Sequence, residues 1–102
     1  MLRASLRLRM RPYKRAEALT AIDALADRMR QVVGCCRCAV FADVDDSNSV
    51  ALESEWADLQ SADQFFESRE FQIFRGIRIL LRDEPLIVLD DVRERVTRMV
   101  GS

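Results

Sequence analysis

Three thiols fall within four positions, Cys35, Cys36 and Cys38. Clustered cysteines can exchange disulfides or ligate a metal, and both uses depend on which way the side chains point. In an extended segment Cys35 and Cys38 are expected on opposite faces. About 3.3 Å of rise per residue then holds them beyond disulfide reach. Cys36 and Cys38 share a face at a marginal spacing, which keeps a thiol redox sensor as a third reading of the chain. A four-cysteine metal site lacks its fourth ligand, and no metal site is expected. The commoner fate of a free cysteine is that of a small core hydrophobe. The chain has no histidine. This removes mixed Cys/His zinc sites, Ser-His-Asp and Cys-His catalysis, and His-ligated haem.

Glu53, Glu55, Asp43 and Asp45 could form acid–base pairs. Arg7, Arg9 and Arg37 are their expected neutralising partners, and such pairing lowers carboxylate pKa values instead of poising them near neutrality. Structural ion pairs are therefore the favoured reading. Trp56, the lone tryptophan, ends an apolar-alternating segment just before a helix. It either caps the core beneath that helix or walls a ligand cavity, with Phe41 a further aromatic on offer. With three glycines there is no P-loop or Rossmann signature. No cofactor is implied.

These residues need elements to carry them. Leu6, Leu8 and Met10 alternate with Ser5, Arg7, Arg9 and Arg11, which predicts a strand with its apolar set turned inward. Pro12 stops it and can open a helix. From about Tyr13 to Val33 the period changes to three and four: Leu19, Ile22, Leu25, Met29 and Val32 form one stripe, with Gly34 at the expected C-terminal cap. A strand over 36–44, the turn formers Asp45–Ser49 and a strand over 50–56 read as a hairpin. Ser61 and Gln64 have the form of a capping box before an aromatic-rich helix, and Ser68 and Gly76 predict a kink or break in it. Leu86–Leu89, apolar without alternation, closes the order as a strand expected to be buried on both faces.

The order β-α-β-β-α-β over 102 residues predicts one α+β domain of ferredoxin-like antiparallel type, with a core over about 4–92 and a C-terminal tail over 93–102. Its first and third strands should be neighbours, placing Arg7 and Arg9 opposite Glu53 and Glu55 on the helix-free face. A chain this short is marginal for a single core, and that face mixes charge with Phe41, Ala39 and Cys35. A second copy of the chain is the expected partner, giving a homodimer. Hydrophobic content of 49% with 32% charged residues and a net charge of −1 is globular, and points to neither nucleic acid nor membrane. The N-terminus is Arg-rich and acid-free as transit peptides are. Its period of two and lack of an apolar run read instead as a strand, so the protein is expected in the cytoplasm with reduced thiols.

Several segments together resemble the antibiotic biosynthesis monooxygenase family of dimeric α+β barrels. They are Gly34-Cys35 opening a strand after a long helix, Ala51-Leu52-Glu53-Ser54-Glu55-Trp56, Phe65-Phe66-Glu67-Ser68-Arg69-Glu70-Phe71, and Pro85 before the last strand. The resemblance implies a dimeric barrel and a cofactor-independent monooxygenase acting on a quinol or another electron-rich aromatic. It carries Trp56 over as a pocket residue, and on the activity it implies Phe65 and Phe41 would wall the cavity with it while Arg7, Arg9 or Arg37 would hold the substrate's phenolate. Phe65 takes the position where many members have His, which sets the chain apart from the haem-degrading branch. Arg7 and Arg9 stand on the first strand where catalytic members often have Asn. The alternative from another class is a non-catalytic dimeric barrel that binds a small ligand or serves assembly.

Overall fold

The structure, a computed structural model, describes residues 1–101. Its first strand, β1 (Leu2–Arg9), alternates buried and outward residues along its whole length. Leu2, Ala4, Leu6 and Leu8 are buried, and Met10 just beyond is fully so. The strand begins earlier than the sequence reading placed it, because Leu2 and Ala4 continue the same period. A short 3₁₀ turn at Pro12–Lys14 leads into α1 (Arg15–Met29). Ala18, Ile22, Leu25, Ala26 and Met29 are its buried stripe, while Leu19 and Val32 are only partly buried. Two alanines thus do what the larger residues were expected to do, letting the helix lie close to the sheet. The helix ends before Val33. Gly34 closes the turn that follows, at a φ of +96°.

The hairpin β2 (Cys35–Ala42) and β3 (Ser49–Trp56) forms as predicted. Sheet order is β2-β3-β1-β4, with β4 at Leu86–Asp91 and every pair antiparallel. This is the ferredoxin-like arrangement, with the first and third strands adjacent. Between β3 and β4 lie α2 (Leu59–Phe66), α3 (Arg69–Phe74) and a 3₁₀ segment over Arg75–Leu80. The aromatic helix breaks at Ser68 because its hydroxyl accepts a hydrogen bond from Phe71 N–H and starts a new helix. The cap of α2 is Asp58, not Ser61: the Asp58 carboxylate accepts from the Ser61 N–H at 2.8 Å. Asp58 comes immediately after the strand ends, so a cap there starts the helix sooner than one at Ser61. Those donors hold the Asp58 carboxyl below its usual range.

Three further expectations need correction. Register places Arg3 opposite Glu55 and Ser5 opposite Glu53, so Arg7 and Arg9 face Ala51 and Ser49. Face assignment was right and pairing was displaced, because alternation specifies a side and leaves the slide along a strand open in even steps. In β2 the register slips between Cys35 and Arg37, so Cys36 is an extra residue. Cys35 then pairs with Trp56 and Cys38 with Ser54, on the same helix-facing side and not on opposite ones. Last, β4 is not buried on both faces in the single chain. Leu86 is 71% exposed and Val88 49%, and Ile87 and Leu89 on the helix side are open by about the same degree as each other. It is an edge strand that no helix fully covers.

The shortest dimension of the molecule is 20 Å, the thickness of one sheet with one helix layer. The core occupies that single interface, and the opposite sheet face is bare. Among the described residues no helix is long and apolar enough to cross a membrane.

Gly34 offers a sharp test of this packing. A Cβ there would lie 2.6 Å from both Cβ and Oγ of Ser61, at a backbone angle that side chains rarely adopt. Gly34→Ala should cost about 1–3 kcal/mol in urea unfolding. Adding Ser61→Gly should recover the part due to the clash and leave the backbone strain.

Candidate functional site

The sheet divides the residues singled out from sequence into two groups. Trp56 and Phe65 lie on the helix side, both buried, with rings stacked at a centroid distance of 5.7 Å. The Trp56 indole N–H donates to Ser54 Oγ at 2.8 Å, which satisfies the one polar group it brings into the core. Trp56 therefore faces the core. Arg7, Arg9, Arg37 and Phe41 lie on the bare face, where they line two shallow hollows with Glu53 between them. The two groups thus lie on opposite faces of the sheet.

On the bare face the charges are incompletely matched. Glu55 is held by Arg95 at 3.0 Å and by Arg3 at 4.0 Å. Glu53 accepts from the Ser5 hydroxyl at 2.8 Å, and Arg9 reaches Asp83 at 3.1 Å. Arg7 and Arg37 make no ion pair among the described residues. Among the described residues none of the expected pairs of Arg7, Arg9 or Arg37 with Glu53, Glu55, Asp43 or Asp45 forms; the carboxylates that pair on this face do so with Arg3 and Arg95 instead.

The described residues form a different, largely apolar cavity on the helix side. It is a cleft of about 240 Å³ between the end of β1, the start of β4 and the α3 and Arg75–Leu80 segments. Leu6 forms its floor; Phe66, Phe71 and Phe74 form one wall; Pro85, Leu86 and Ile87 form the other. Arg75, Arg78 and Glu84 stand among the lining residues as its only charged side chains. The aromatic wall is rigid because each ring leans on the next. Phe66 and Phe71 meet edge to face at 5.1 Å, Phe71 and Phe74 at 5.7 Å, and Phe66 touches Trp56 at 5.8 Å. Trp56 and Phe65 thus support the cleft from behind. At the far end Met10 bridges to Leu81, and Arg11 N–H donates to Leu80 C=O at 2.9 Å, which pins the 3₁₀ segment to β1.

The sequence reading placed these aromatics on one kinked or broken helix and did not see this cleft. A signal was present. The aromatic run is broken by Ser68 and followed directly by Arg75 and Arg78, so an apolar surface gives way to cations at one place. Its closing wall comes from β4, whose position only the sheet order reveals.

The thiols are free, with Cys36 exposed, Cys35 intermediate and Cys38 buried. Burial pushes the Cys38 thiol up to about 11, and raises that of Cys35 as well. Among the described residues no group of three or more His, Cys, Asp or Glu is arranged to hold a metal ion.

An antiparallel sheet in this order, backed by helices on one face, defines a ferredoxin-like α+β fold. The profile of the family Antibiotic biosynthesis monooxygenase matches residues 1–76, and the chain belongs to that family. Solved structures agree. A Deinococcus radiodurans protein named as a candidate antibiotic biosynthesis monooxygenase has a TM-score of 0.89 at 18% identity, over 97% of this chain and 99% of its own. Rv0793 from Mycobacterium tuberculosis has 0.85 at 16%, over 94% and 98%. A conserved protein from Methanosarcina mazei Go1 has 0.80 at 23%, over 87% and 89%. At these identities the likeness is one of fold. No curated protein is similar enough to this chain to match it.

Thiol reactivity should follow burial. Limited alkylation at pH 8 read by peptide mass spectrometry should label Cys36 first and Cys38 last, since the thiolate is the reacting form. A raised folded pKa for Cys38 also means that its contribution to stability is complete below pH 9.0, its ordinary value, and is lost as pH rises toward about 11. Equal labelling of all three thiols would contradict this burial pattern.

Proposed function

We propose that this chain, a single cytoplasmic domain, is a cofactor-independent monooxygenase that oxidises a small quinol or similarly electron-rich aromatic in the Leu6–Phe66–Arg78 cleft. The observation that carries this reading is the cleft itself: an apolar, aromatic-walled cavity with cations at its rim, in a chain of a monooxygenase family. Its volume equals that of about eight waters in the liquid, which suits a ring or two.

The chemistry needs little from the protein. A quinol that loses its phenolic proton is electron-rich enough to pass electrons to O₂. One oxygen atom enters at a ring carbon, the ring is left as a hydroxyquinone, and the other atom leaves as water. The quinol supplies all four electrons and two of its hydrogens leave with that water. The protein's tasks are to exclude water, to orient the ring and to favour the anion. Phe66, Phe71 and Phe74 serve the first two. Arg75 and Arg78 favour the phenolate, since a fixed cation in a partly dry site lowers the free energy of a nearby developing anion. Glu84, the only carboxylate lining the cleft, is the acceptor for the departing proton. Trp56 and Phe65 act by holding Phe66 in place.

The working form is a homodimer joined through the bare sheet face. Several observations support it: the 20 Å thickness, the unpaired Arg7 and Arg37, and Leu86, Val88 and Phe41 exposed among them. A two-fold related copy would set Glu53 and Asp43 against such arginines and cover the apolar residues at once, as a self-complementary surface does. Phe41, Arg7, Arg9 and Arg37 then belong to the interface, and contribute to ligand binding through the hollows they line there. A binding or assembly module without catalysis is the second reading, favoured by the fact that only Glu84 offers a base.

Oxygen uptake with a panel of quinols and dihydroxyaromatics tests the first reading. The native protein should consume O₂ only when substrate is present, and Phe66→Ala should lower kcat/KM by at least about tenfold, the loss expected when a wall that orients the ring is removed. Uptake at the buffer rate for every substrate sinks the oxygenase and leaves the binding module. Separately, Val88→Lys should convert the native dimer to a monomer in light scattering, because it buries a cation on the face that already holds the unpaired Arg7. A native protein already monomeric at micromolar concentration rules the dimer out.

A further inference from the structure

Beyond Gly76 the cleft is built from residues outside the family match, Ile77 and Arg78 on the 3₁₀ segment and Leu81, Glu84, Pro85, Leu86 and Ile87 after it. What distinguishes this chain's ligand should therefore be written there. Arg78, Leu81 and Glu84 line both the aromatic cleft and a second hollow beyond it, which Arg11, Arg82 and Asp83 also line, and Arg78 is the one cation among the three.

The charge at this junction is unbalanced. Asp83 is occupied by Arg9 at 3.1 Å. Arg11 Nε donates to Leu81 C=O at 3.1 Å, and Arg75 donates to the neutral Gln72 Oε1 at 3.2 Å. The side chains of Arg78 and Arg82 make no ion pair or hydrogen bond among the described residues. Asp46 lies within the field of Arg82, and Glu84 is then the one unpaired carboxylate among the residues lining the two hollows, against the guanidiniums of Arg11, Arg75, Arg78 and Arg82. Four like charges gathered at one end of an apolar slot raise the local potential, and a permanent anion on the ligand lowers it.

We propose that the ligand of this cleft is an aromatic acid. Its ring lies against Phe66, Phe71 and Phe74, and its carboxylate meets the Arg78 guanidinium where the two cavities join. Arg78 is the residue that specifies this class, because a guanidinium accepts a carboxylate through two parallel N–H donors and offers nothing comparable to a neutral group. The carboxylate is distinct from the oxidised ring position and takes no part in the electron transfer. The inference rests on the reading of the cleft as the substrate site, and adds to it the charge that the substrate must carry.

Calorimetric titration of the full chain with 2-naphthoate and with the neutral 2-naphthalenemethanol tests it. The two share a ring system and differ in charge. Naphthoate should bind about tenfold more tightly, the amount one charge-assisted pair at a partly exposed site supplies. Raising the salt concentration should erase that margin and leave the alcohol unaffected. In Arg78→Gln the two compounds should bind equally, at the alcohol's native affinity, which also reports that the aromatic wall is intact. Equal affinities in the native protein, no binding of either compound, or a preference that survives Arg78→Gln overturns the proposal. The titration involves no turnover, so a protein that prefers naphthoate without consuming O₂ keeps this inference and loses the oxygenase. One that oxidises neutral quinols with no preference for the acid does the reverse.

Discussion

The inward face of β1 is the constraint on which the rest of the molecule depends. Leu2, Ala4, Leu6, Leu8 and Met10 are each 6% exposed or less, and the strand that bears them is hydrogen-bonded on both sides. Removing apolar surface from water at about 25 cal/mol per Å² makes this row of side chains a large contributor to the core. It also sets positions. β3 is held against one edge of β1 and brings Trp56 under α2; β4 is held against the other and brings Leu86 and Ile87 beside Leu6. The same strand pins the 3₁₀ segment through Met10 and Arg11. Both walls and the floor of the cleft are hung from one strand.

The cleft arises where that regular packing is interrupted. Had the second helical stretch run unbroken, Phe71 and Phe74 would have continued one straight stripe over the sheet. Ser68 caps a new helix instead, and the chain after Phe74 tightens into six residues of 3₁₀ geometry, an unusually long run. None of those six residues is buried. The helix layer therefore turns away before it reaches β4, and the gap between them is the cleft. Stability and site share a cause: the helices that cover β1 and β3 stop short of the edge strand.

Much of the fold could be read from period alone. The alternation in β1, the three-and-four stripe of α1 and the polar turn Asp45–Ser49 each follow from side-chain geometry along one element, and each element formed where its pattern lay. The break at Ser68 was legible for the same reason, since a hydroxyl that can cap competes locally with the helix. Misreadings came where two local solutions were available or where a long-range partner decides. Asp58 and Ser61 are both good caps, and the earlier one captured the helix. Arg7 and Arg9 were assigned to the correct face, yet their partners depended on the slide of β1 along β3. The slip around Cys36 is invisible in a period-two pattern, and it moved Cys35 to the helix side.

The amino-acid sequence by itself determined the element order, the inward and outward faces of most strands and the family, because these follow from patterns within contiguous segments. The tertiary structure alone decided what lies across from what. It set the strand register, closed Trp56 into the core behind Phe66, and brought Arg75, Arg78 and Glu84 to the rim of a cleft whose walls are some 80 positions apart, from Leu6 to Leu86. Contacts at that separation depend on how the sheet is ordered, and no local spacing encodes them.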